Sequence, residues 1–243
     1  MCENKTKSMK MEKQKYFDLT PSVGGSFSYG WRTIFEKAFL PLLLAVIITG
    51  LLNGPVGVNW KSGEGDWFNF VWFVPVALFS MAYGFLFMPV INYGEKYIFL
   101  KAMRDEETDL RFLFEGFKTK YLKIVLANLI VFALVIIGLV LFIIPGIIAL
   151  CRLVFVPYLV MDKELEPMQA VEKSWQMTRG HGWKIFAMAI ISVFIFIAGL
   201  IVLFVGAIIS FMWIHAAFAT LYLSVLNQNA DENPIPILGV NEA

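Results

Sequence analysis

Residues 142–163 read FIIPGIIALCRLVFVPYLVMDK, and the reading of this stretch decides the fold. It is apolar almost throughout, Pro145-Gly146 sits near its start, and Arg152 is its one ionised residue before Asp162 and Lys163. A proline followed by glycine punctuates a helix. The apolar runs on either side, 122–144 and 147–161, then read as two membrane spans joined by a tight turn. The first run has the roughly 20 residues needed to cross a bilayer core. The second is short and is expected to begin below the membrane surface.

Four further runs extend the same reading: 38–52, 68–93, 185–205 and 207–226. The 68–93 run is long and holds Pro75, Gly84 and Pro89, so it is expected to tilt or kink. Composition agrees. Of 243 residues, 58% are hydrophobic and 16% charged, with a mean hydropathy of +0.70. Soluble domains have a smaller apolar and a larger charged share. The expected architecture is an all-α, six-span transmembrane helical bundle occupying residues 20–226. A polar, basic leader at 1–19 precedes it, and a disordered tail at 227–243 comes after it. No cleavable leader is expected, because the first apolar run begins only near Ala38 and no small-residue cleavage site comes after it. Met9 and Met11 are alternative starts.

The cations are distributed unevenly. Lys and Arg number seven in residues 1–37, one before the second span, seven in 94–123 and four in 162–184. The remaining one is Arg152, so eighteen of twenty fall on one side. The positive-inside rule makes that side cytoplasmic, with both termini there. With a net charge of +1, no basic field suggests nucleic acid as a partner.

The three cytoplasmic segments look alike. Each opens on a helix-start signal: Thr20-Pro21, Thr108 and Glu166-Pro167. Each continues with apolar residues at helical spacing, giving three amphipathic helices. The returning spans share FMPV at 87–90 and FVPY at 155–158, though the sixth span lacks the proline. A threefold repeat of surface helix, span, turn and span is therefore the expectation. Any six-span chain with even loops would give a similar spacing. The surface helices have aromatic faces, and Lys118, Lys120 and Lys123 border the second. Such helices lie in the headgroup plane against anionic lipid, or they pack beneath the bundle or on a membrane-protein partner.

Candidate site residues are few. Arg152 has three readings. It reaches outer-leaflet phosphates, it pairs with Asp66 or Glu64 of the first outer loop, or it holds a ligand anion. His215, in WIHAAFATLY, reads first as an interhelical hydrogen-bonding group. Asn128 and Ser192 are expected to bond to neighbouring helices, and Gly180 in TRGHGWK to end a helix. Glu36, Asp66, Glu95 and Asp162 are all expected to flank the spans, which weakens any ion-coupled carrier reading. The two cysteines, Cys2 and Cys151, suit neither a disulfide framework nor a thiolate metal site. No cofactor is expected, and no H-E-x-x-H, P-loop or G-x-S-x-G motif is present.

The segments IPGII, VPYLV and EPMQAVEKSWQMTRGHGWKIF resemble a broad family of bacterial multipass membrane proteins of unknown function. That family is similar to the membrane domain attached to some glycerophosphodiester phosphodiesterases. The resemblance covers residues 20–226. It implies a helical domain of the bacterial inner membrane and supplies no catalytic residues. Every long segment here is a span or a short connector, so the resemblance carries no phosphodiesterase activity. Two functional expectations remain: a non-enzymatic lipid- or partner-binding accessory, or a permease for a small or lipidic solute. A lipid enzyme is the least expected, for want of a nucleophile and a base.

Overall fold

The computed structural model describes residues 21–52, 75, 77–201 and 203–232. Among them six helices are long and apolar enough to cross a membrane. Helix α1 runs Val23–Leu52 and α2 Ala77–Met103. A 3₁₀ turn, Leu110–Leu113, and the short α3, Glu115–Thr119, lead into α4, Tyr121–Leu141. Then come α5, Ile143–Arg152, and α6, Val156–Asp162, which together form the fourth crossing. Helix α7, Pro167–Met177, precedes α8, Gly182–Ile201, and the long α9, Leu203–Glu232.

Helix irregularities track the prolines. A proline ring clashes with the carbonyl four residues before it. Pro41 would meet Lys37, and a π-helical stretch, Ile34–Ala38, widens the helix there. Pro89 would meet Phe85, and a second π-helical stretch, Tyr83–Phe87, lies there. Pro157 would meet Leu153, where α5 and α6 part. Phe87 and Phe155 sit just before the helices in which Pro89 and Pro157 take the early, tolerated position.

Several expected boundaries move. The first amphipathic segment is not a separate helix, because α1 passes through its π stretch without ending. The second segment is capped by Asp109, whose carboxylate accepts from the Arg111 N–H at 2.9 Å, one residue after the expected Thr108. The third forms as read, with Glu166 and Gln169 in a capping box around Pro167. The turn of the central hairpin lies at the extended Phe142, with φ −164° and ψ 154°, and not at Pro145-Gly146. Pro145 falls in the first turn of α5, where its missing N–H costs nothing. Gly146 instead faces Gly138 of α4 so closely that a Cβ on Gly138 would lie 3.0 Å from the Gly146 Cα. Helix α9 continues to Glu232, past the expected start of the tail. The 1–19 leader, all but the first turns of the tail, and the first outer loop lie outside the described residues.

The most buried crossing is that of α9. Ala216, Ala217 and Ala219 let α1 approach it closely. A Cβ on Gly30 would come within 3.1 Å of Ala216 and Ala217. Trp213 Nε1 donates to the Phe27 carbonyl at 2.8 Å across the same interface. Large apolar side chains such as Leu51, Val140, Phe142, Ile143 and Ile201 point outward. In water an apolar surface of this extent would drive association, whereas lipid is its natural solvent.

Charges tie one end of the bundle together. Lys37 pairs with Asp105 at 2.5 Å, Lys120 with Glu164 at 3.0 Å, and Lys123 with Glu166 at 2.7 Å. Asp105 and Glu164 both take left-handed backbone angles, φ 61° and 53°, just past the ends of α2 and α6. Lys120 is buried and also donates to the Met161 carbonyl, while Lys118 stays exposed. Two of the three lysines read as a lipid-facing border are thus taken up by internal partners.

Candidate functional site

Helix α2 holds the site. It continues to Met103 and not to the expected end at Tyr93, so Glu95 and Lys96 lie within a spanning helix. Glu95 thus belongs to the helix itself and not to the connection after it. Asn92, Glu95 and Lys96 fall at i, i+3 and i+4, a spacing that gathers them on adjoining faces of one helix turn. Glu95 is 2% exposed, and its Oε1 has no hydrogen-bond partner. Lys96 makes no hydrogen bond or ion pair with a described residue, and the adjacent Glu95 supplies its counter-charge.

Two cavities meet these residues. One, of about 770 Å³, lies among α1, α2, α8 and α9. Its polar lining is Thr49, Asn92, Glu95, Lys96 and His215, and Phe196 and Phe211 stand among its apolar walls. The other, of about 500 Å³, lies among α2, α4, α5 and α6, and Asn128 supplies a polar group to it. Asn92 and Lys96 line both cavities. Helix α2 therefore places an amine and an amide between two clefts, each about half open at its mouth. An ionised group there is costly unless paired, so membrane proteins keep such groups chiefly where they act.

His215 is one of the expected site residues, and the structure brings it into this cluster. Its Nδ1 lies 3.0 Å from the Phe211 carbonyl. A carbonyl only accepts, so Nδ1 carries the proton and Nε2 is left as an acceptor. The imidazole packs 4.1 Å from the Phe211 ring and 5.4 Å from that of Phe99. Its hydrogen bond is within α9 and not between helices. Ser192 likewise bonds within its own helix, to the Met188 carbonyl at 2.7 Å.

Arg152 lies elsewhere. Its guanidinium stands 5.7 Å from the centre of the Trp175 ring, and its Nη1 has no hydrogen-bond partner. The break between α5 and α6 withdraws the Arg152 carbonyl from the helical pattern, because the Val156 N–H donates to Leu153. Ser174 Oγ donates to that carbonyl at 2.7 Å, while Thr178 Oγ1 donates within its own helix to the Ser174 carbonyl at 2.9 Å. Arg152 is thus held from both ends by α7, the helix of the third basic connection. Its expected neighbour Asp66 lies outside the described residues, as does Glu64.

A third polar group closes the charged end. Arg104 forms a two-pronged pair with Asp162, through Nη1 to Oδ1 and through Nη2 to Oδ2 at 2.7 Å. Tyr222 donates to the same carboxylate at 3.0 Å and stacks on Tyr158 at 5.1 Å. His181 bridges the Arg179 carbonyl and the Gln228 side chain, and Gly180 has the left-handed φ of 78° that suits a helix end.

Sequence reading misses Glu95 and Lys96 because Gly94-Glu95-Lys96 looks like the end of a span. The signal that marks them is the return of the apolar pattern at Ile98, Phe99 and Leu100, all three buried. Among the described residues, no three His, Cys, Asp or Glu side chains gather closely enough to hold a metal. No family model matches the chain, and neither a curated protein nor a solved structure matches it.

Proposed function

We propose that this integral membrane protein is a permease for a small polar solute, with Asn92 and Lys96 of α2 as the polar step between two cavities. The observation that carries this reading is Lys96, whose amine lines both clefts beside Glu95. Buried Glu95 beside it supplies the intramembrane acid that carriers commonly need. The charge asymmetry of the connections supports a cytoplasmic membrane location, with both ends of the bundle on the cytoplasmic side.

Water access tests this. In a background with Cys2 and Cys151 replaced by serine, Asn92→Cys should react with a membrane-impermeant thiol reagent. Lys96→Met in the same protein should change the rate of that reaction. A folded Asn92→Cys protein inert from both faces of the membrane would leave a dry structural cluster, and the accessory reading would stand in its place.

A further inference from the structure

A separate groove lies between α5 and α8. Its volume is about 470 Å³, and Ile144, Ile147, Ile148, Trp183 and Phe186 are among its walls. Arg152 is the only ionised side chain that lines it. No carboxylate pairs with Arg152 among the described residues, and its Nη1 is unpartnered. Ile144 and Trp183 are strongly exposed, Trp183 at 82%, so the groove opens toward the lipid and not into the bundle. Tryptophan of this kind belongs to the headgroup level of a bilayer. The connection next to it bears Arg179 and Lys184, which suits the same level.

We infer that this groove binds one anionic phospholipid, its phosphate on the Arg152 guanidinium and its acyl chain along Ile144, Ile147, Ile148 and Phe186. Charge and shape argue together. A groove with a single fixed cation and otherwise apolar walls fits an amphiphile with an anionic head, and phospholipid is the anionic amphiphile a bilayer provides. The residue is anchored at its main chain, where Ser174 holds the carbonyl at 2.7 Å, and the centre of the Trp175 ring lies 5.7 Å from its guanidinium. A planar guanidinium presents paired donors that match a phosphate. This site shares no residue with the α2 cavities and does not rest on the permease reading.

Native mass spectrometry of the full chain, released from nanodiscs of equal phosphatidylglycerol and phosphatidylcholine, tests the inference. The wild-type protein should retain one phosphatidylglycerol in preference to phosphatidylcholine by roughly tenfold, the order expected of hydrogen bonds to a charged group. Arg152→Leu should remove the preference, and Arg152→Lys should keep part of it. Ile148→Trp fills the groove and keeps the arginine, and should also release the lipid, which guards against a misfolded Arg152→Leu protein. Exposed Arg179→Leu should retain phosphatidylglycerol as the wild type does. Equal retention in wild type, Arg152→Leu and Ile148→Trp would overturn the site. So would an equal loss in Arg179→Leu, or displacement of the phospholipid by oleate at equal concentration.

Discussion

The Arg104–Asp162–Tyr222 cluster shows how single residues fasten the charged end of the bundle. Burial alone would lower the Arg104 pKa, but the hydrogen bond and charge of Asp162 outweigh it and raise the pKa above the ordinary arginine value. Arg104 therefore stays charged at every working pH, and its worth lies in the pairing. Removing one partner of a buried pair leaves the other charge stranded, at a cost of about 3 kcal/mol or more. Asp162 is 6% exposed and would keep only the Tyr222 hydroxyl and a looser contact with Lys163 at 3.8 Å. Arg104→Ala should lower the melting temperature in detergent markedly, and Arg104→Ala with Asp162→Asn should recover much of the loss. An Arg104→Ala protein as stable as wild type would show that the pair contributes nothing net. Little of this residue-level detail is legible in the sequence. Arg104 and Asp162 stand 58 positions apart, and nothing in either neighbourhood names the other. Ser174 is as opaque, since its acceptor is a main-chain carbonyl freed only by a break near Pro157. Glu95 is hidden differently: a hydropathy window averages a glycine and two charges into a boundary, although the helix continues through them.

At the level of elements the sequence is far more readable. All six crossings fall where apolar length puts them, because lipid imposes a near-fixed length on a helix whose backbone must satisfy itself. Boundaries move where a proline does not act as a breaker. Pro145 starts a helix instead of turning the chain, and Pro41 and Pro89 are absorbed by π-helical stretches instead of ending one. Small residues decide which helices touch. Gly30 admits Ala216 and Ala217, while among the described residues nothing lies within 4 Å of a Cβ placed on Gly50 of the same helix. Gly30→Leu should force α1 off α9 and destabilise the protein by about 2 kcal/mol, the usual scale of overpacking. Gly50→Leu should be close to neutral. Thermal denaturation of the two variants side by side checks this, and equal melting temperatures would mean that the α1–α9 approach is not a limiting contact.

Across the whole molecule, two of the three connections are built alike. Each places a left-handed acidic residue after a returning helix and pairs it with a lysine from the connection before, Asp105 with Lys37 and Glu164 with Lys120. The third return, α9, runs on without such a residue before Glu232. The parallel therefore relates two units, and a threefold repeat rests on the sequence pattern alone. These pairs also bear on orientation. Lys37, Arg104, Lys120 and Lys123 are joined to one another's connections by ion pairs, so they must occupy one side of any membrane the bundle crosses. An even number of crossings then returns both ends of the bundle to that side. We propose that it is the cytoplasmic side, because clustered Lys and Arg resist translocation. Alkaline phosphatase fused after Glu107 should accordingly be inactive, and green fluorescent protein at the same point should fluoresce. Fusions after Asn59, in the first outer loop, should give the reverse. Phosphatase activity at Glu107 would invert the bundle. Because Arg152 is held by the third basic connection, it would also move the proposed phospholipid from the cytoplasmic leaflet to the other.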